Sequence, residues 1–339
     1  MLTGSDEVRG AICCLLGIFS QIFPFCSAKA GASRPKWPCY RQAALPKTHE
    51  AGSSMALLGR FKGPGSVVRM LQFTHSLLLG STMCELLGMS ANTPTDLCFS
   101  FTGLTQRGGN TGPHRDGWGV AFYEGKGVST FHDSSPSAQS KIAGMVQNHP
   151  IKSQTALCHI RQANVGKVCL ANTHPFVREL WGRNWVFAHN GQINDFTRRQ
   201  GMYEPVGDTD SEDIFCDLMN QVRQTLPREV GPKQLADCLV ELAKDYAQQG
   251  VFNCMLSNGD WLFTFCSTKL ACITRRAPFG PAQLTDADVS VNFAAETTDN
   301  DVVSIIATQP LTKDEAWEVY EPGEWRLWQL GEVIERGVV

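Results

Sequence analysis

The chain lacks several common signatures. It has no run of 18 uninterrupted apolar residues, whereas a membrane-crossing helix needs about 20. It has no G-x-x-x-x-G-K-[ST] phosphate loop, no H-E-x-x-H and no dinucleotide glycine fingerprint, so nucleotide-driven and zincin chemistry have no sequence support. Thirteen cysteines occur, yet none shows C-x-x-C or Cys/His ligand spacing. An odd number in a chain this long reads as free thiols in a reducing compartment rather than a disulfide framework. No metal or organic cofactor is expected. No internal repeat is visible.

Charge is scarce and unevenly spread. Only 19% of residues are charged and the net charge is −3. Residues 1–82 hold nine Lys/Arg against Asp6, Glu7 and Glu50, a net of +6, so the remainder carries −9. No basic stripe marks that acidic remainder as nucleic-acid binding. The break suggests two segments of different origin. Residues 11–30, AICCLLGIFSQIFPFCSAKA, resemble a signal-peptide core, but Asp6 and Glu7 deprive the preceding region of positive net charge. Residues 27–67 are rich in Gly, Pro, Ser and basic residues without a sustained period. Residues 1–82 therefore read as a non-globular leader, either a mis-assigned start or a removed segment, and 83–339 as the folded domain. A cytoplasmic location and no membrane association are expected.

The texture changes at Cys84. The stretches CELLGMSA, TALCHIRQA and WVFAHNGQI read as short apolar strands, and GWGVAFYEGKGVSTFHD as strand, turn, strand. A helix is expected in DTDSEDIFCDLMNQVRQTL, where Thr209 precedes Glu212 at capping-box spacing and Ile214, Phe215, Leu218, Met219 and Val222 share one face. A second follows through Leu235, Leu239, Leu242 and Tyr246, with Gly250 placed to cap it. Asn258-Gly259 marks a hairpin, and DVVSIIATQPL and EWRLWQL add strands. The mixture indicates an α+β layered domain.

Five pieces stand out: MCELLGM at 83–89, LTQRGGNTGPHRDGWG at 104–119, CHIRQAN at 158–164 with NTHPF at 172–176, AHNG at 188–191, and DTDSE at 208–212. Each is weak alone. In this order the set resembles the class II glutamine amidotransferases, and most closely their small stand-alone, YafJ-like branch. The resemblance implies a four-layer αββα N-terminal-nucleophile hydrolase sandwich. It implies a catalytic cysteine exposed by removal of the initiator Met, a place filled here by Cys84 after Met83.

A physical reason stands beside the resemblance. A cysteine nucleophile needs a base for its proton. An α-amine, with a pKa of about 7.7–8.0 against about 10.4 for lysine, is substantially unprotonated near neutral pH. A peptide nitrogen cannot serve, because its lone pair is delocalised. Cys84 is small enough to permit removal of a preceding Met. Translation from Met83 is thus the leading expectation, and a propeptide ending at Met83 gives the same free amine. A secreted form cut near Gly31 would leave Cys84 blocked.

The resemblance further implies that Arg161 clamps the substrate α-carboxylate, for which a guanidinium is suited, and that Asp210 receives the α-ammonium. Asp210 could equally compensate a helix N-terminus. Asn190 and Gly191 match the oxyanion hole, although an ordinary turn after a strand would also explain them. Arg107 and Gly108 fall in a segment resembling the family's mobile loop over the substrate. Asp116 to Gly119 reads as a tight turn into a strand. His174 matches a family histidine near the site, or is a structural histidine. Larger members carry Trp-Ala-Thr-His-Gly after the arginine, where this chain has Gln162, Ala163, Asn164, Val165 and Gly166.

The expected function is an amidohydrolase or amidotransferase releasing ammonia or an amine from glutamine or a γ-glutamyl amide through a γ-glutamyl thioester. A separate ammonia-accepting subunit is a possible partner. The alternative is a non-catalytic module that binds a γ-glutamyl metabolite or a partner, with Cys84 internal.

Overall fold

A computed structural model describes residues 83–295 and 297–339. The expected leader over 1–82 lies outside the described residues. In chain order the first half contains β1 (Glu85–Thr95), α1 (Cys98–Arg107), β2 (Trp118–Glu124), β3 (Gly127–Asp133), α2 (Lys141–Asn148), β4 (Ser153–Ile160), β5 (Phe176–Leu180), β6 (Arg183–Ile193) and α3 (Asp210–Thr225). The second half contains α4 (Pro232–Ala247), β7 (Gly250–Ser257), β8 (Leu262–Phe265), β9 (Ala271–Arg276), β10 (Pro281–Gln283), β11 (Ser290–Asn292), β12 (Val302–Ala307), β13 (Glu318–Val319), β14 (Glu324–Gln329) and β15 (Glu332–Val338). One sheet runs β13-β9-β12-β1-β4-β2-β3 and the other β15-β14-β8-β7-β6-β5, with β10-β11 a separate hairpin.

The strands are apolar on both faces, which is what two stacked sheets with helices outside require. Along β1, Leu87 and Met89 pack with Phe101 and Leu104 of α1 and Val146 of α2. Leu86, on the opposite face, packs with Val186, Ala188, Met255 and Leu262 of the other sheet. Along β6, Val186 and Ala188 point to this inter-sheet layer, while Trp185 and Phe187 join Phe215 of α3 and Leu239 of α4. Period-two alternation thus serves two cores at once. The result is the four-layer αββα sandwich of the α+β class.

The helix starts follow their local chemistry. Thr209 accepts the Glu212 N–H as N-cap of α3. The Glu212 carboxylate does not close the reciprocal half of a capping box; it accepts from the Gly207 N–H at 2.7 Å and from Arg178 at 2.6 Å. Pro232 opens α4, where its missing N–H costs nothing. Gly250 does not cap α4. It begins β7, and a Cβ there would stand 2.2 Å from the Gln192 carbonyl oxygen, so glycine serves close strand approach.

Two short helices, α1 and α2, lie where only strands and loops are read from sequence. The mobile-loop expectation for Arg107 is corrected: Arg107 is the last residue of α1 and its buried guanidinium binds Glu85 and Asp286, each at 2.8 Å. The apolar contacts of α1 are separated by Ser, Thr and Gly, which are weak helix formers and mask the period. The nine described cysteines are all unpaired. Among the described residues no helix is long and apolar enough to cross a membrane.

Leu157 of β4 is fully buried in the inter-sheet layer. Leu157→Ala is expected to cost about 2–5 kcal/mol of unfolding free energy, because the stacked sheets cannot close over the void. Chemical denaturation of the variant checks this; a loss below about 1 kcal/mol would mean the layer is not tightly packed.

Candidate active site

Cys84 is the residue before β1, and β1 is central to its sheet, paired with β12 on one side and β4 on the other. Three ties fix the start of the strand. The Leu86 N–H donates to Thr308 Oγ1 at 2.8 Å, the Glu85 carboxylate is held by Arg107, and the Gln162 N–H donates to Cys84 Sγ at 3.2 Å. The Sγ also lies 3.4 Å from the Gln162 carbonyl oxygen. Burial pushes the thiol up to about 11, against smaller opposing pulls from the Gln162 backbone and the Arg161 charge. At neutral pH it is therefore a thiol, not a thiolate.

Arg161 follows β4. Its backbone is clamped to the Asp116–Gly117 turn: the Arg161 N–H donates to the Gly117 carbonyl at 2.8 Å, and the Ala163 N–H donates to Asp116 Oδ2 at 2.7 Å. Gly117 has φ +113°, and its ideal Cβ would lie 3.0 Å from the Asp133 carbonyl oxygen, so the turn needs glycine. The Arg161 guanidinium donates to the carbonyls of Lys167 and Val165, each at 2.9 Å. It thereby holds the 162–168 loop that walls the site.

Asp210 opens α3, and its Oδ2 accepts the Ile193 N–H at 2.8 Å. Asn190 and Gly191 lie within β6, paired with Asn253 and Phe252 of β7, rather than in a turn. A Cβ on Gly191 would fall 1.7 Å from the Val251 carbonyl oxygen, so no other residue fits without moving backbone. The Asn190 side chain is buried; its Nδ2 is 3.4 Å from Thr308 Oγ1 and its Oδ1 has no partner.

Cys84, Arg161, His174, Gly191 and Asp210 line one cleft, together with Gln162 and His189. Its free volume is only about 30 Å³, room for water rather than an amino acid. Neither Arg107 nor Asn190 lines it; Arg107 holds Glu85 and the Gln309 and Pro310 carbonyls, and Asn190 lies beside Gly191 in β6. His174 is buried against His159 and Phe176 at ring-centroid distances of 4.2 and 4.3 Å, and neither ring nitrogen has a partner. Burial, and then the neighbouring His159, His189 and Arg161, hold it well below the usual histidine range. His159 falls to about 3 for similar reasons. Among the described residues no His, Cys, Asp and Glu group is placed to hold a metal ion.

Three contributors escape sequence reasoning. Gln162 acts through its backbone, which leaves no side-chain signal. Thr308 sits in an ordinary strand end. His114 lies inside a quoted motif, yet its contacts are non-local: Nδ1 faces the Arg107 carbonyl at 3.2 Å and Nε2 the Met83 carbonyl at 2.6 Å.

The model of the family "Glutamine amidotransferases class-II" matches residues 83–338. The Escherichia coli K12 protein named "Putative glutamine amidotransferase YafJ" is 58% identical over 254 residues, 74% of this chain and all of that protein. A Haemophilus influenzae protein named "Putative glutamine amidotransferase" is 42% identical over 76% of this chain and 88% of its own length. The crystal structure of a predicted glutamine amidotransferase from Pseudomonas aeruginosa is 57% identical, covers 74% of this chain and all of its own, and superposes with a TM-score of 0.62. The chain belongs to the class II glutamine amidotransferase family.

Proposed function

We propose that the chain hydrolyses glutamine or a γ-glutamyl amide with Cys84 as an N-terminal nucleophile. The observation that carries this reading is the meeting of Cys84, Arg161, Gly191 and Asp210, from four separate elements, in one cleft. In the proposed cycle the Cys84 α-amine takes the thiol proton and sulfur attacks the amide carbon. Asn190 and Gly191 donate to the oxyanion. Ammonia or an amine leaves with the proton from the α-ammonium, giving a γ-glutamyl thioester. Water then attacks the thioester, giving up its proton to the α-amine. The thiol re-forms and the γ-carboxylic acid departs. Arg161 and Asp210 take the α-carboxylate and α-ammonium, and unpartnered, neutral His174 remains available to a further polar group.

Two features support a free Cys84 amine. First, a thiol with a pKa of about 11 needs a base, and among the described residues no side chain hydrogen-bonds to Sγ. Second, His114 Nε2 faces the Met83 carbonyl oxygen at 2.6 Å and Nδ1 the Arg107 carbonyl oxygen at 3.2 Å. With Met83 gone, one acceptor disappears and the free ring nitrogen can accept from the new amine. The family match beginning at residue 83, and the full-length match of the Escherichia coli relative, agree with this boundary. The narrow cleft requires the 162–168 loop to move. The Arg161 N–H groups now on that loop's carbonyls are those a carboxylate would take.

Protein from its native source is expected to begin at Cys84 by intact mass, and Cys84→Ala to abolish glutaminase turnover while leaving the thermal transition in place. A glutamine-like electrophile should label Cys84 ahead of the other described cysteines. An active enzyme retaining residues 1–82 would defeat the α-amine reading. An inert but glutamine-binding protein would establish the non-catalytic alternative.

The amine must be unprotonated to act, so kcat/KM is expected to rise with pH and level off near the α-amine range of about 7.7–8.0. A rise that continues toward pH 11 would instead assign the limb to the thiol.

Arg161→Lys is expected mainly to raise KM, since the charge survives but the two-pronged geometry does not. Asn190→Ala is expected to lower kcat by about 10²–10³, the usual loss for one oxyanion donor. Steady-state kinetics on both variants separates the roles; an effect on KM alone in Asn190→Ala would remove it from the oxyanion hole. Comparing glutamine with larger γ-glutamyl amides identifies the favoured amide.

A further inference from the structure

A cavity larger than the Cys84 cleft lies elsewhere among the described residues. It encloses about 430 Å³, within the range of small-molecule sites, and lies at the opposite end of β6, beside the β5–β6 and β7–β8 turns. Arg183, which opens β6, lines this cavity, and Gly191 near the end of β6 lines the Cys84 cleft. Eight residues of extended strand separate them, roughly 26 Å.

Trp181, Trp185 and Trp261 line this cavity, with ring-centroid distances of 6.2 Å for Trp181–Trp185 and 5.2 Å for Trp185–Trp261, both edge-to-face. Trp181 is also conformationally unusual. It and Gly182 form the two-residue turn between Leu180 and Arg183, with φ +58° and +77°. Such a turn favours Asn, Asp or Gly at its first position, and a bulky aromatic residue there is an outlier. The fold tolerates an unfavourable backbone in order to set an indole at the cavity mouth, and strain of this kind concentrates at ligand sites.

Charge selects between two ligands that aromatic walls can take. Tryptophan faces attract quaternary ammonium groups, and they also stack on flat rings. Lys126, Arg183 and Arg228 line the cavity against Asp260 and Glu229, three cations to two anions. Asp260 is already bound to Arg183 at 2.8 Å, and Lys126, Arg228 and Glu229 have no ion-pair partner among the described residues, which leaves two cations to one anion. The rim therefore opposes a cation and favours an anion.

We propose that this cavity is a second ligand site, distinct from the amidohydrolase cleft, that takes a small planar aromatic anion. The ring stacks on half-buried Trp181, above a floor of Trp185 and Trp261 that are themselves only 1% and 7% exposed, and its phosphate or carboxylate is met by Arg228 and Lys126.

The test is calorimetric and tryptophan-fluorescence titration of the full chain with two aromatic anions, adenosine 5′-monophosphate and 4-hydroxybenzoate. Adenosine, ribose 5-phosphate and tetramethylammonium serve as counterparts lacking the charge, the ring or both. At least one aromatic anion is expected to bind saturably, and every counterpart at least ten-fold more weakly. Arg228→Gln, a change at an exposed side chain, should weaken that binding ten-fold or more, as should Trp181→Asn, which suits the turn. Cys84→Ala should leave it unchanged. Failure of both aromatic anions to bind, tighter binding of tetramethylammonium, or undiminished binding in Arg228→Gln would each overturn the proposal. So would loss of binding in Cys84→Ala, which would place the ligand in the other cleft.

Discussion

The position of Cys84 against a central strand is the constraint on which the site depends. A nucleophile on a loop would cost ordering entropy at each turnover. Here the next residue is Glu85, the first of a strand paired on both sides. The same few residues serve two purposes. Glu85 is buried because Arg107 answers its charge, and Arg107 is buried because Glu85 and Asp286 answer its own. Glu85 without Arg107 would be an uncompensated buried charge, which is far costlier than the pair. Arg107 thus braces Glu85, the residue that follows the proposed nucleophile.

The electrostatics of the cleft are set by what remains unpaired. Arg161 spends its hydrogen bonds on backbone carbonyls and Asp210 accepts from a backbone N–H. Each group is anchored by neutral partners rather than by the other, and among the described residues the two form no ion pair. A cleft that keeps a cation and an anion both oriented and both unneutralised suits a zwitterion, such as the α-amino acid end of a glutamyl group. The buried histidines fit this scheme. Burial keeps His159 and His174 neutral, so they add polar surface without a charge that would compete with Arg161.

The sequence is most legible where the information is local. The strands around Cys84 and Asn190, the Thr209 cap and the hairpin at Asn258-Gly259 all follow from periodicity and turn chemistry. The helix α1 is not legible, because Phe101 and Leu104 are its main apolar contacts among polar and small neighbours, and tertiary packing supplies what propensity lacks. Gly250 misleads for a related reason: a glycine after a helix usually caps it, but here the space between β6 and β7 demands it. At the site, residue types point to chemistry, while Gln162, Thr308 and His114 act through contacts spanning 31 to 222 residues. No spacing rule reaches that far.

The proposed nucleophile has no base among the described side chains that touch its sulfur. A histidine paired to Cys84 would lower the thiol's pKa and make it reactive as soon as the chain folded. Burial does the opposite, raising it to about 11. On the proposed reading the missing base is the backbone nitrogen of Cys84 itself. Breaking the 83–84 peptide bond changes no side chain and needs no rearrangement of β1. It converts a delocalised amide nitrogen into an amine, and it replaces the carbonyl facing His114 with a group that can donate. On this reading the covalent boundary at Met83 separates a latent thiol from one with its own base, and movement of the 162–168 loop then admits the substrate.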